Sequence, residues 1–347
     1  MFKKIIHSSI STFLLIASIQ AVEPGQPLRS PPPITKVDAQ VADAQEKFEI
    51  AKKMFNPWYA GPLLTPGPHN LPPGLFNIQP YLFFTWNYAK FKDNRSSESI
   101  PTLFSIKPTF SFQAGLLSWL DATIGISAVY NKQSNQSAFE FGDTSLSLGF
   151  QLLGETPYIP ALRFSISESF PTGRYRRLDP SKAGIDSSGT GAFVTSFNLI
   201  AGKVVWWVST HPMAFRAAFN YSIPTNAQVN GFHAYGGGFD TKGTVNIGNS
   251  ISANASMEYS FTKYWVLALD VVYNYQSQST FSGNQGLNLD GSIAANGAPS
   301  NDLFSLAPAL EYNPSSHMGF LAGVWVPITG RNTSHFASFI LSMFYTW

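Results

Sequence analysis

Between Leu75 and Trp347 apolar and polar residues alternate with a period of two, and the alternation restarts many times. In the first segment Phe76, Ile78, Leu82, Phe84, Trp86 and Tyr88 share one phase, and Asn77, Gln79, Thr85 and Asn87 the other. Phe104, Ile106, Phe110 and Phe112 divide likewise from Ser105, Lys107, Thr109, Ser111 and Gln113. Farther on, Trp265, Leu267, Leu269, Val271, Tyr273 and Tyr275 oppose Asp270, Asn274 and Gln276. Side chains along a β-strand point alternately to its two faces, so each segment offers one face to an apolar medium and one to water. The pattern predicts about twelve strands, at 75–88, 101–115, 120–131, 141–153, 160–171, 191–204, 212–223, 244–260, 263–276, 302–313, 317–328 and 334–347.

The links between these segments carry independent information. Short ones near 116–120, 154–159, 205–211, 262 and 314–316 alternate with longer ones near 89–100, 132–140, 172–190, 224–243 and 277–301, and only 329–333 breaks the rule. Short turns alternating with long loops are a property of outer-membrane barrels. The expected fold class is therefore all-β, a transmembrane antiparallel up-and-down β-barrel over 75–347 with a short N-terminal helix before it. A soluble β-sandwich would alternate too, but its inner face would be aliphatic rather than so rich in Phe, Tyr and Trp. In the last strand Phe339, Leu341, Met343, Tyr345 and Trp347 are apolar at every second position. This ending resembles the C-terminal signal that the outer-membrane barrel assembly machinery reads.

Upstream of Leu75 the pattern is different. Residues 1–21, with Lys3 and Lys4 ahead of an apolar run, read as a Sec signal peptide. That run is short of the roughly 20 apolar residues a spanning helix needs. Residues 22–33 are a Pro-rich tether. Over 34–55 the apolar residues Ile34, Val37, Val41, Ala44, Phe48, Ala51 and Phe55 fall at spacings 3-4-3-4-3-4, the seam of an amphipathic heptad helix. The helix must stop by Asn56, because proline disfavours helix at the residue before it. Three placements are open for it: against the barrel, inside the lumen as a plug, or in a helix bundle between protomers. Residues 56–74 form a rigid lead-in of prolines and aromatics, and its part at 58–68 is expected to sit, with the helix, at or inside the periplasmic end of the barrel.

Composition agrees with a chain that hides little surface from lipid. Charged residues are 12% of the 347, against roughly 25% in soluble domains, while 15% are aromatic. The absence of Cys excludes disulfides, thiolate metal sites and cysteine nucleophiles. A net charge of +2 with no basic block gives no reason to expect nucleic acid. The alternation turns Lys107, Asp143, Arg163, Arg216, Glu258, Asp270 and Glu311 inward, a set of both signs. Selectivity for ions would need rings of one sign, so these charges are expected to pair across the lumen or line a weakly selective polar interior. Glu168 falls on the outward phase and is expected near the headgroup level.

Catalytic constellations are sparse. A lipid hydrolase needs a serine within reach of a base, and the candidates are His335 with Ser338 and His317 with Ser315 or Ser316. A separation of three in a strand puts His335 and Ser338 on opposite faces. The histidines are scattered, and the glycine run at 233–240 lacks the Gly-Lys-Ser/Thr ending that grips phosphate, so no metal and no cofactor is expected.

Three stretches carry a family resemblance. Residues 56–66 (Asn-Pro-Trp-Tyr-Ala-Gly-Pro-Leu-Leu-Thr-Pro), 142–153 (Gly-Asp-Thr-Ser-Leu-Ser-Leu-Gly-Phe-Gln-Leu-Leu) and 170–173 (Phe-Pro-Thr-Gly) resemble the transporter-like outer-membrane proteins named for a MetA pathway of phenol degradation. The resemblance implies a barrel in the outer membrane of a Gram-negative-type bacterium that passes small, apolar or aromatic compounds. The helix at 34–55 departs from it. The expected function is a passive channel or uptake porin with both termini in the periplasm. Its expected partners are outer-membrane lipid, the barrel assembly machinery, an unidentified solute and, if the helix serves assembly, further copies of the chain. The rivals are a closed structural or adhesive surface barrel using the loops at 172–190 and 277–301, and an outer-membrane lipid hydrolase.

Overall fold

The computed structural model describes residues 34–54, 59–208 and 211–347. The expected signal peptide, the tether, Phe55 at the end of the seam and residues 56–58 lie outside the described residues. Helix α1 spans Ile34–Met54, and on it Val37 and Val41 of the seam are exposed.

Sixteen strands follow: β1 (Phe76–Phe91), β2 (Ser97–Leu117), β3 (Leu120–Gln133), β4 (Gln136–Phe141), β5 (Thr144–Leu153), β6 (Ala161–Phe170), β7 (Val194–Val208), β8 (His211–Pro224), β9 (Ala227–Asn230), β10 (Lys242–Asn246), β11 (Ser250–Ser260), β12 (Trp265–Gln276), β13 (Thr280–Asn284), β14 (Asn301–Tyr312), β15 (Met318–Arg331) and β16 (Thr333–Thr346). Strand β1 pairs antiparallel with β2 on one side (Phe84↔Ile106) and with β16 on the other (Phe84↔Phe339), which closes the sheet. Strands β4 and β5 both pair with β3 and together make one wall strand, interrupted at Gly142 and Asp143. The result is a closed antiparallel barrel of 12 strands. Closure leaves the wall without an open edge of unpaired N–H and C=O groups, the condition for crossing lipid with strands.

The alternation places the aromatic and aliphatic phase outside. Ile126, Leu199, Phe219 and Leu267 are exposed on the outer wall, where lipid takes the place of a protein core. Near the short turns Trp119, Tyr158, Trp207 and Trp347 are also exposed, forming the aromatic girdle found at a membrane interface. The C-terminal residue is anchored there, with Trp347 and Phe76 exchanging both backbone hydrogen bonds at 2.9 Å and their rings 5.9 Å apart.

Two expected long links are mostly strand. Strand β1 runs on to Phe91 and β2 begins at Ser97, while β3 and β4 form a tight hairpin around Ser134, whose φ of 51° is left-handed. Polar side chains there suggested loop, but a hairpin standing in water satisfies its backbone by the ladder whatever its side chains are. Two segments expected to be continuous are broken instead. At 142–143 the Asp143 carboxylate accepts from the Gly173 and Thr190 N–H groups of the following loop, at 2.9 and 2.8 Å. At 247–249 the chain steps from β10 into β11. Strands β9, β10 and β13 form a separate three-stranded sheet that extends β8, β11 and β12 past the long-loop end of the wall.

Candidate functional site

The lumen is crossed near its short-turn end by residues 59–73. This stretch contains Pro62, Pro66, Pro68, Pro72 and Pro73, so it has few N–H groups and cannot join a ladder. The N–H groups it does have still need acceptors once buried, and wall side chains supply them. Ala60 N–H donates to Glu311 Oε2 (3.0 Å) and Leu64 N–H to Asp270 Oδ2 (3.1 Å). Thr65 donates twice to Asp270 Oδ1, from its amide (3.0 Å) and its hydroxyl (2.6 Å). Asn70 N–H donates to Gln151 Oε1 (2.7 Å), and Leu71 N–H to Asp121 Oδ2 (3.1 Å). In return Gln151 Nε2 donates to Pro68 O (3.0 Å).

Packing follows the same division of labour. Leu63 is buried among Ala268, Ala307, Ala309, Leu321 and Ile340, where small residues on β12 and β14 leave room for it. Glycines allow the backbone contacts: a Cβ on Gly202 would stand 2.4 Å from Pro68 Cγ, and one on Gly115 would stand 1.9 Å from Pro72 O. Residues 59–73 therefore form a fitted plug.

The inward charges fall into distinct groups. Arg163 bridges wall and plug, donating from Nη2 to Asp121 Oδ1 (2.6 Å) and from Nε to Asn70 Oδ1 (2.7 Å). Arg216 is paired with Glu258 at 2.9 Å and lies beside Gly61 of the plug. Glu311 and Asp270 neighbour the same guanidinium and hold the plug amides. Asp143 closes the break between β4 and β5 and also accepts from the Thr190 hydroxyl (2.8 Å). Lys107 stands apart: it faces inward, is exposed to the lumen, and makes no hydrogen bond or ion pair among the described residues. Glu168 faces outward near the end of β6 and accepts from Thr195 Oγ1 (2.7 Å).

Asp121 was missed by the sequence reading, although it is fully buried and ties β3 to both Arg163 and the plug. Its signal was present, since Asp121 is on the phase of Thr123 and Ser127 and opposite to Ile124 and Ile126. Glu155, in the turn after β5, was missed as well. Val204 N–H donates to it at 2.9 Å, and His69 of the plug lies 3.4 Å from its other oxygen. Beside it a cavity of about 400 Å³ is lined by Tyr59, His69, Lys203, Trp206, Phe215 and Arg216.

The other end is covered by a folded cap. Ala192, Ala227, Val229, Val245 and Ile247 form its buried core, with Tyr175, Tyr235 and Phe281 packed on it. Arg174 pairs with Glu140 (2.9 Å) and Asp186 (3.2 Å), and Asn131 Nδ2 donates to Ile185 O (2.7 Å), which fastens the loop at 171–193 to the β3–β4 hairpin. His233 accepts at Nδ1 from Tyr235 N–H (3.2 Å) and meets Asn296 Oδ1 through Nε2 (2.9 Å). Burial holds its imidazole below the usual histidine range, and the Asn296 contact opposes this only in part.

Between plug and cap the inner wall has two characters. Strands β2 to β6 present hydroxyls, among them Ser105, Thr109, Ser127, Ser145 and Ser167. Strands β14 to β1 present Phe83, Leu303, Trp325 and Phe336, with Phe91, Leu303 and Phe336 buried as a cluster against Trp325. Trp325 Nε1 donates to Ser305 Oγ (2.9 Å), which fixes the ring against that side.

The hydrolase candidates do not assemble. His335 Nδ1 meets Ser97 Oγ at 2.9 Å rather than Ser338, and its ring is stacked on Phe91 (4.5 Å). Among the described residues no Asp, Glu or Asn is bonded to its Nε2, so the third member that would orient a base is missing. His317 and Ser315 are linked by a backbone N–H to hydroxyl turn bond (3.2 Å). No group of three His, Asp or Glu that could hold a metal occurs among the described residues.

No family model matches the chain, and no curated protein does. The fold is found among solved structures. The COG4313 outer membrane channel from Pseudomonas putida F1 superposes with a TM-score of 0.64 at 12% identity, covering 82% of this chain and 100% of that one. The translocator domain of autotransporter NalP from Neisseria meningitidis gives 0.44 at 12% identity over 89% and 97%. A mutant of TodX, a monoaromatic hydrocarbon channel, gives 0.41 at 10% identity over 80% and 91%. The chain thus has the fold of outer-membrane barrels.

Proposed function

We propose that this protein is an outer-membrane channel for small solutes, with its short turns and both termini on the periplasmic side and a plug that must yield for passage. The observation that carries this reading is the manner of attachment. Residues 59–73 are held by side-chain carboxylates and amides rather than by a β-ladder, so they can leave without breaking the wall. The likeness to the COG4313 outer membrane channel supports the fold on which the reading stands. The mixed hydroxyl and aromatic lumen suits small apolar or aromatic compounds with a polar group.

The test is reconstitution of the whole protein in lipid. Wild type should conduct poorly, and a variant whose plug is released, Asp270→Ala, should conduct and admit small solutes in liposome-swelling assays. A folded Asp270→Ala protein, shown by proteolysis to have freed residues 59–73 yet passing neither ions nor solutes, would sink the channel reading.

A further inference from the structure

Of the seven inward charges read from the alternation, all but one are engaged in the structure. Arg163 is held by Asp121 and Asn70, and Arg216 by Glu258. Asp270 and Glu311 are occupied by plug amides, and Asp143 by three donors from Gly173 and Thr190. Lys107 alone is left, with Asp143 as the charge nearest enough to be felt through space. Exposed to the lumen with no protein group bonded to it among the described residues, the Lys107 ammonium can take an anion without first giving up a protein partner.

Its position says what kind of anion. Lys107 lies directly opposite Phe83 in the β1–β2 register, on the edge of the aromatic side formed by Phe83, Trp325 and Phe336. On its other side stand the hydroxyls of Thr109 on the same strand and of Ser127 opposite it on β3, while the Ser105 hydroxyl is already given to Asn131 Oδ1 (2.6 Å). A solute whose carboxylate took the ammonium and the hydroxyls of Thr109 and Ser127 would lay an apolar body over the aromatic side.

We propose that Lys107 is a specificity-determining residue of the lumen, selecting small aromatic or apolar carboxylates over their uncharged analogues. The inference rests on the channel reading for its purpose, but its test is binding rather than passage. The full-length protein in lipid nanodiscs at pH 8 would be titrated with naphthalene-2-carboxylate and with naphthalene-2-carboxamide, a pair alike in shape and different in charge.

The wild type should bind the carboxylate on the order of tenfold more tightly than the amide, about one hydrogen-bonded charge contact in a partly hydrated site. Lys107→Gln should bring that ratio close to one by weakening the carboxylate alone, and Lys107→Arg should keep it. Heat-modifiable gel migration would verify that each variant is folded. Equal binding of the two probes by wild type, no binding of either, or an unchanged preference in Lys107→Gln would each overturn the assignment. Conductance of the Asp270→Ala protein, measured separately, tells these outcomes apart from failure of the channel reading, because a conducting protein without anion preference removes only the role of Lys107.

Discussion

Thr65 and Asp270 are joined twice, with the threonine amide and hydroxyl both donating to Oδ1 at 3.0 and 2.6 Å. The same carboxylate takes the Leu64 amide on Oδ2 at 3.1 Å, so one wall residue secures two consecutive plug residues. Hydrogen bonds to charged acceptors contribute about 1.5–3 kcal/mol each. Asp270→Ala should therefore weaken plug docking by at least about 3 kcal/mol. Single-channel recording should show a higher open probability. Asp270→Asn should fall between, since its carboxamide keeps one acceptor oxygen and turns a donor toward the plug.

Close approach should matter as much as hydrogen bonding. In Gly202→Ala the new Cβ would meet Pro68 Cγ at 2.4 Å, and in Gly115→Ala it would meet the backbone oxygen of Pro72 at 1.9 Å. Neither glycine has an unusual φ, so the barrel should still form and the plug should shift instead. Faster protease cleavage within 59–73, with unchanged heat-modifiable migration, is the expected result for both. Gly115→Ala should have the larger effect because backbone cannot rotate away.

Acid should loosen the plug through Glu155. Burial pushes its carboxyl up, but hydrogen bonds from His69 and from Val204 N–H, and the charges of His69 and Lys203, outweigh this and hold it below the ordinary range. A carboxyl depressed in the folded state contributes stability above its unfolded value of about 4.3, and that contribution is lost as pH falls through the folded value. Conductance should therefore rise as pH is lowered below about 4. Glu155→Gln should show raised conductance already at pH 7 and little further change on acidification from this source.

The cap should respond at milder pH. His233 accepts from Tyr235 N–H at Nδ1, which only the neutral ring can do, and its folded value lies below the unfolded value of about 6.5. Between those values the unfolded cap binds the proton more readily, so the stabilising contribution is present above about 6.5 and is lost as pH falls. Proteolysis of the loop at 225–249 should speed up between pH 7 and pH 5. In His233→Asn, cleavage should be faster at both values and its dependence on pH reduced.

Helix α1 offers a separate test. Deleting 34–55 should leave conductance unchanged and lower the oligomeric state, read by light scattering, if the seam containing Val37 and Val41 serves assembly. Raised conductance with an unchanged oligomeric state would assign it to occlusion instead.

A period of two, repeated to the C-terminus, was enough to specify the closed barrel and to tell which residues face lipid. That holds because a strand's two faces meet different solvents, and a one-residue slip would put Leu267 in the lumen and Asp270 in the bilayer. The same periodicity could name Arg163, Arg216, Glu258, Asp270 and Glu311 as inward, but not what each one touches. Arg163 finds Asp121 at a distance of 42 residues and Ala60 finds Glu311 at 251, and no local pattern encodes separations of that size. That the lead-in at 58–68 lies at or inside the short-turn end could be expected from the sequence, but the way it is held could not, for a related reason. Its prolines forbid any repeating backbone bond, so its fit is set one N–H at a time by side chains that only closure of the wall brings together. Sequence alone determined the wall and its two faces; tertiary structure decided that the lumen is stopped, which charges stop it, and that Lys107 is left facing the space above.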